Sequence, residues 1–442
     1  MKRLVYNELL KWKNSKRRKP LLLEGARQVG KTWLMREFAK NEYKNFLYLN
    51  FEKDEKLKTF FGSNISPAQI IPHLEGYFEI NISPKDTMLI FDEIQECQRA
   101  KDSLKYFNEE APHYNLMAAG SFLGIAGDKF PVGQVSRLTL RPLSFYEYLL
   151  ATGQEIKLKT LQKLDKDSIA SLAFIYEEEL KKYFYIGGMP KAVAAFVETG
   201  NMKLVQEIQN DILADYRDDF AKHINKNDIE KVRMIWDSVP THLAKEKKKF
   251  MYKEIKEGAR SMTYENAFTW LTETRLVHKV SKTEYPSLPL ARNMEQGAFK
   301  LYMLDIGLLS AKSNLDIRTF FDSSYDVFNE FKGALAEQYV LQELIALGIQ
   351  PFYWSRERGN AEVDFIVQYD NSIIPIEVKS AKQTKSKSLS VYNERFKPKY
   401  QIRASLKNFG VTDNLYSVPL YMIESFFDIL SRENNDLPLS GS

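Results

Sequence analysis

The stretch Leu21-Leu22-Leu23-Glu24-Gly25-Ala26-Arg27-Gln28-Val29-Gly30-Lys31-Thr32 decides how the chain is read. A short apolar run ends in glycine, and Gly25 to Thr32 fits the spacing G-x-x-x-x-G-K-[ST]. A helical segment, 32–41, follows. The loop therefore stands between a strand and a helix. There the backbone N–H groups of Gly25, Ala26, Arg27, Gln28, Val29 and Gly30 can wrap phosphates, and the helix N-terminus adds its positive end. Lys31 is placed to reach β- and γ-phosphates, and the Thr32 hydroxyl to hold magnesium. The expectation is a site for ATP with Mg2+.

Working outward, NFLYLNF (45–51) and TMLIFDE (87–93) read as strands, and NLMAAGS (115–121) is an apolar run that stops at Gly-Ser. Strands alternating with helical segments argue for an α/β fold with a parallel sheet. The run MLIF suits a strand buried on both faces. It would deliver Asp92 and Glu93 to the carboxyl edge of the sheet, where ligands bind in such folds. Asp92 is expected to hold magnesium through its water shell, and Glu93 to act as general base on the attacking water. Ser121 is read as a polar sensor of the γ-phosphate. Arg137 and Arg141 are candidates for an arginine finger, in cis or across a subunit boundary.

The whole chain has 442 residues, which fits two or three domains. Its formal net charge is only +5, so a nucleic-acid surface would have to be a local patch. Two stretches qualify, Lys13–Lys19 (KNSKRRK) and Lys245–Lys249 (KEKKK). The lone Cys97 excludes a disulfide framework and a thiolate zinc site. The sequence start lacks a secretory apolar core, and no run of about 18 apolar residues appears, so no membrane span and a cytoplasmic location are expected. The five histidines show no metal-ligand spacing.

From about 165 to 325 helical periods dominate, punctuated by Gly187-Gly188-Met189-Pro190. Helices at 228–244, near 252–257 and at 264–274, then strands LVHKVSK (276–282) and FKLYML (299–304), have the layout of a winged helix. The proposed recognition stretch TYENAFTWLTETRL (263–276) carries Phe268, Trp270 and Leu271, which look like packing residues, and only one arginine. A long helix containing Glu337 follows. FYWS (352–355), AEVDFIVQY (361–369) and IIPIEVKS (373–380) then read as a β-meander. With Asp370-Asn371 as the turn, Tyr369 pairs with Ser372 and Asp364 falls opposite Glu377. Alternation puts Glu362, Asp364, Glu377 and Lys379 on one face, and Val363, Phe365, Ile376 and Val378 on the core face. The tail from about 431 is polar and expected to be loose.

Two resemblances follow from these residues. Asp364…Glu377-Val378-Lys379, with Glu337 on a preceding helix, resembles the metal site of the PD-(D/E)XK nuclease fold. That resemblance implies a second divalent cation on Asp364 and Glu377, with Lys379 steadying the attacking water or the phosphate. GARQVGKT, MLIFDEIQ, AAGSFLG and PVGQVSRLTLRPLSFYEYL, with the later GGMP, FKLYMLDIGLL and EVDF…IEVK segments, resemble a family of prokaryotic AAA-plus ATPases. Its members carry a characteristic C-terminal domain of unknown function. The resemblance implies ATP binding and hydrolysis by Lys31, Thr32, Asp92 and Glu93. Many relatives have a Gly-Arg pair before the PLSF segment, whereas this chain has Gly133-Gln134.

The organisation expected is an AAA-type ATP-binding domain at 1–160, a helical and winged-helix region at 161–325, a nuclease-like domain at 326–430 and a tail at 431–442. Two functions fit it. In one, ATP turnover drives an action on DNA. In the other, the chain is a nucleotide-dependent switch whose C-terminal domain has lost catalysis and binds a protein partner. AAA-type sites often need a neighbour's arginine, which points to a homo-oligomer.

Overall fold

A computed structural model describes residues 1–62, 64–121, 133–163, 166–245, 248–321, 328–356, 361–380 and 387–435. The last three residues of the AAGSFLG segment, 122–124, lie outside them, as does the centre of the lysine run at 246–247. The chain forms two units. One comprises residues 2–141 together with 273–276; the other comprises 142–272 and 277–442.

The first unit begins with α1 (Tyr6–Lys13) and β1 (Leu21–Glu24), followed by α2 (Lys31–Glu42) and β2 (Asn45–Asn50). Next come α3 (Lys56–Thr59), α4 (Pro67–Phe78), β3 (Thr87–Asp92), α5 (Gln98–Glu110), β4 (Asn115–Ala119) and β5 (Ser136–Thr139). The five strands form one parallel sheet in the order β2-β3-β4-β1-β5. The residues of β1, β3 and β4 are all buried, as continuous apolar runs in a doubly covered parallel sheet should be. Leu49, Leu89, Phe91, Leu104 and Phe107 share one core, where Phe91 meets Phe51, Phe61 and Phe107 edge to face. The Asp92 strand is not the neighbour of the loop-bearing strand, because β4 lies between β3 and β1.

In the second unit, a helical layer comprises α6 (Phe145–Ala151), α7 (Glu155–Lys163), α8 (Lys166–Ser171), α9 (Ala173–Ile186), α10 (Pro190–Thr199), α11 (Met202–His223), α12 (Lys226–Leu243) and α13 (Ser261–Glu273). The strands β6 (Val277–Thr283) and β7 (Met294–Met303) follow as an antiparallel hairpin. Of the three helices and hairpin read from sequence, α12, α13 and the hairpin are present, but the segment expected near 252–257 holds only a three-residue 3-10 turn, Tyr252–Glu254. Phe268, Trp270 and Leu271 are buried as packing residues. The glycines after α9 permit a close approach: the Gly188 N–H donates to Asp305 Oδ2 at 2.6 Å, and a Cβ there would lie 2.1 Å from the Leu143 carbonyl oxygen.

The chain continues through α14 (Ile306–Lys312), α15 (Ile317–Phe321) and α16 (Phe328–Ala346) into β8 (Pro351–Ser355), β9 (Glu362–Tyr369) and β10 (Ser372–Val378). It ends with α17 (Lys387–Phe396), β11 (Gln401–Ser405), β12 (Gly410–Thr412), β13 (Leu415–Pro419) and α18 (Ile423–Asn435). All the strands from β6 onward share one eight-stranded sheet, in the order β12-β13-β11-β10-β9-β8-β6-β7. This sheet runs across residue 325, where a domain boundary was expected. The meander stops at β10, because β11 joins it in parallel and a parallel neighbour needs a crossover, here α17. The expected loose tail is helical as far as Asn435, with Phe426, Phe427 and Leu430 of α18 buried; residues 436–442 lie outside the described ones. No helix among the described residues is long and apolar enough to cross a membrane.

Candidate nucleotide site

The loop after β1 takes the backbone conformation that its glycines predict. Gly25 has φ +152°, and a Cβ there would stand 2.3 Å from the Leu140 carbonyl oxygen, so only glycine fits. Gly30, with φ +95° in the left-handed region, forms the N-cap of α2, and Gln28 is also left-handed at φ +66°. Ala26 and Val29 are buried beneath the turn.

Lys31 opens α2 and is itself buried. Its Nζ donates to the carbonyl oxygens of Gly25 and Ala26, both at 2.9 Å, and lies 3.1 Å from Ser121 Oγ. These partners are neutral. Burial therefore brings its pKa down to about 8, although Glu93 and Asp92 pull in the opposite direction. The ammonium occupies a cradle of oxygens that an incoming phosphate can replace. Ser121 follows β4, the strand between β1 and β3, which explains how it meets the lysine.

The Thr32 hydroxyl donates to Asp92 Oδ2 at 2.7 Å, joining the loop to the end of β3. Tyr48, on the neighbouring β2, donates to the same oxygen at 2.7 Å, and Asn50 donates to the Tyr48 hydroxyl at 3.1 Å. The Glu93 N–H donates to Asp92 Oδ1 at 3.1 Å. A hydroxyl and a carboxylate in contact are hard oxygen donors of the kind magnesium takes, so Thr32 and Asp92 fit the ion that accompanies ATP. Glu93 sits in the left-handed region at φ +50°, a strained position for a residue with a Cβ. Burial raises its carboxyl pKa, and Gln95 donates to Oε2 at 2.7 Å.

Arg137 is ion-paired with the buried Glu24, directly before Gly25. The same carboxylate receives Arg275 at 2.6 Å. Arg275 comes from the four-residue segment that folds with this unit after α13, and nothing in the sequence signals it, because 251 positions separate it from Glu24. Arg141 is partly buried, which lowers its pKa, with Arg275 adding to the effect. Gln134 precedes β5, whose first residue pairs with Leu21 at the amino end of β1. Its amide is engaged by Asn108 and Glu109 of α5, at 2.6 and 3.1 Å. Position 134 therefore lies at the opposite edge of the sheet from the loop.

The four C-terminal residues come together in the second unit. The hairpin register runs from Tyr369–Ser372 to Phe365–Ile376 as expected, which sets Asp364 opposite Glu377. Val363, Phe365, Ile376 and Val378 are buried on the core face. Asp364 Oδ2 accepts the Val378 N–H at 2.8 Å, and Lys379 Nζ lies 2.7 Å from Glu377 Oε1. Glu337 on α16 reaches the same place, ion-paired with Lys248 and accepting from the Tyr302 hydroxyl at 3.1 Å. Among the described residues no group of three or more His, Cys, Asp and Glu converges as a metal site.

The parallel sheet, the glycine-rich turn into α2, and the Thr32–Asp92 contact define a P-loop NTPase core. A family model described as an AAA domain matches residues 17–149, the part that holds this core. Two further models, both described as domains of unknown function (DUF8612 and DUF4143), match residues 177–319 and 332–423. No curated protein matches the chain. Among solved structures, the chain is similar to a Walker-type ATPase of Pyrococcus abyssi at 14% identity, over 70% of this chain and 94% of that one, with a TM-score of 0.43. It is similar to the Aeropyrum pernix Orc1 protein, solved in complex with DNA, at 11% identity over 70% and 90% of the two chains (TM-score 0.26). Caenorhabditis elegans PCH-2 follows at 16% identity over 61% and 67% (TM-score 0.24).

Proposed function

We propose that the chain binds ATP with Mg2+ at Gly25–Thr32 and hydrolyses it with Glu93 as general base. The observation that carries this reading is the 2.7 Å contact between Thr32 and Asp92, which brings the loop and the carboxylate strand within reach of one cation. Magnesium held by Thr32 and Asp92 would supply charge neutralisation to the phosphates. The Lys31 ammonium exchanges the Gly25 and Ala26 carbonyls for phosphate oxygens, which frees the Ser121 hydroxyl to meet the γ-phosphate. Tyr48 holds the Asp92 carboxylate in place. Glu93, its pKa raised by burial, takes the proton of the attacking water, and that raised pKa brings it nearer to working pH. Lys31→Ala is expected to abolish nucleotide binding in an equilibrium titration with a fluorescent ATP analogue. Unchanged binding and turnover would contradict the assignment.

For the step that hydrolysis drives, we favour the nucleotide-dependent switch, with the C-terminal domain as a module for a protein partner. Several side chains of the basic runs that would track DNA phosphates are engaged within the protein. Lys13 pairs with Glu42 at 2.8 Å, Lys245 with Glu254 at 2.7 Å, and Lys248 with Glu337. Arg18 covers the Trp12 ring, and Lys19 donates to the Gly133 carbonyl at 2.6 Å. The competing reading, an action on DNA through a nuclease-like C-terminal domain, requires Mg2+-dependent cleavage that disappears in Asp364→Ala. Steady-state ATPase assays with and without single- and double-stranded DNA separate the two. Turnover indifferent to DNA supports the switch, and DNA-stimulated turnover overturns it.

A further inference from the structure

The hairpin carboxylates raise a question that the nuclease-like resemblance does not answer. Glu337 is buried and Asp364 largely so, which makes isolated negative charges there costly. Asp364 stands opposite Glu377 on the same face, where like charges repel. In a nuclease-like site a divalent cation would relieve both costs. Here the relief comes from β7. Lys300 is completely buried, and its Nζ stands 2.6 Å from Glu362 Oε1, 3.8 Å from Glu337 Oε2 and 3.8 Å from Asp364 Oδ1. Its ammonium also lies over the Tyr353 ring, 5.1 Å from the centroid. Two positions along the strand, on the same face, Tyr302 donates to Glu337.

Most of the carboxylate oxygens that a metal would need, Glu377 Oε2 apart, therefore already face a protein donor or cation. Asp364 turns Oδ2 to the Val378 N–H and Oδ1 towards Lys300. Glu337 gives Oε1 to Lys248 and Oε2 to Tyr302 and Lys300. Glu377 gives Oε1 to Lys379. Three lysines thus face four carboxylates. Burial opposes the charged form of Lys300, yet the surrounding acids hold its pKa well above the ordinary value. The residues present do not fit a divalent ion beside Asp364 and Glu377, because a permanent cation is built in.

We propose that the Lys300 ammonium is the resident cation of this cluster, standing where the resemblance would place a metal, so that the C-terminal domain is a metal-free module. Removing the ammonium, while leaving the carboxylates, should open a divalent-cation site. This inference stands apart from the ATPase reading. It fails on metal binding, whereas the switch fails on DNA-stimulated turnover.

The test is calorimetric titration of the full, nucleotide-free chain with Mn2+. The wild-type chain and Asp364→Asn should behave alike, since any Mn2+ bound near Thr32 and Asp92 is common to both. Lys300→Met should gain one Mn2+ site, binding roughly tenfold or more tighter than anything at this position in the wild-type chain. That gain should vanish in the double variant Lys300→Met/Asp364→Asn. Mn2+ should also raise the melting temperature of Lys300→Met by more than that of the wild-type chain. Wild-type Mn2+ binding that Asp364→Asn removes would overturn the proposal, as would a folded Lys300→Met chain with no new site. If Lys300→Met does not fold, the comparison of wild type with Asp364→Asn decides alone.

Discussion

Both units gather a buried lysine and a set of carboxylates, yet they arrange them in opposite ways. Lys31 rests on two carbonyl oxygens and a hydroxyl, and burial lowers its pKa to about 8. Lys300 rests among carboxylates, and its pKa is held up. The first lysine is a cation that lacks its anion; the second already has more than one. A buried ammonium with neutral partners is poised for a ligand of opposite charge. One neutralised by the protein is part of the framework. The difference teaches that the partners of a buried lysine, more than its burial, decide whether it serves a ligand.

The comparison can be broken most sharply by removing each lysine in turn. Lys300→Ala leaves the acids around it without their central cation, and should destabilise the fold by about 3–5 kcal/mol. Lys31→Met removes a cation that folding keeps against its desolvation cost. It should leave the nucleotide-free chain as stable as before, or more stable by on the order of 1–3 kcal/mol. Chemical denaturation of both variants without nucleotide checks the pair. Equal losses would mean that the two lysines are not different in kind.

The next effect is on binding. A lysine with a free-state pKa near 8 must take up a proton to meet phosphate at higher pH. Phosphate contact raises that pKa, so the protonated form is favoured in the complex. Affinity for ATP should therefore be flat below pH 8 and fall as pH rises beyond it, by up to about tenfold per unit. Titrations at pH 7, 8 and 9 read this directly. Lys31→Arg, whose charge persists, should lose the pH dependence even if its affinity is lower.

Carboxylates that lack a lysine complete the set. Glu343 on α16 is fully buried and accepts the Phe145 N–H at 3.1 Å; burial, with Glu147 adding to it, raises its pKa to about 8. Glu424 is shifted in the same direction by burial and by Glu343. A carboxyl whose folded pKa is raised binds its proton more tightly when folded. Its contribution is complete below the unfolded value near 4.5 and is lost as pH climbs to about 8. Glu343→Gln keeps an acceptor for Phe145 without the charge. It should gain about 1–3 kcal/mol at pH 8 and little at pH 5, read from melting temperatures at the two values. The smallest change is expected from Arg275→Ala. Glu24 keeps Arg137, so the loss should be about 1 kcal/mol, with ATP bound at near wild-type affinity.

How much of this was legible follows the range of the contacts. The loop, its flanking strand and helix, and the Asp92-Glu93 pair are local patterns, and they fold as the residues Gly25 to Thr32 and MLIFDE suggest. The register of the β9–β10 hairpin was legible for the same reason, since a two-residue turn fixes every pair outward from Tyr369 and Ser372. The order of strands was not, because pairing β1 with β4 and β5 is a choice among distant segments. Tyr48 on Asp92, Arg275 on Glu24, and Lys300 and Lys248 among the hairpin acids were missed on the same ground. Each is an ordinary residue in its own stretch and gains its role only through a partner dozens to hundreds of positions away. Strand alternation in Phe299-Lys300-Leu301-Tyr302 sets Lys300 and Tyr302 on one face. Nothing in it showed that this face would be closed by Glu337 and Glu362.

The hydrolytic site is tested most directly by Glu93→Gln, with phosphate release and ATP binding measured on the same samples. The substitution removes the carboxylate base while leaving Lys31, Thr32 and Asp92 in place. ATP should bind with affinity close to that of the wild-type chain while turnover falls by about 10²–10⁴-fold. Turnover that survives at the wild-type rate in Glu93→Gln would contradict the assignment of the loop and the Asp92-Glu93 pair to one hydrolytic site.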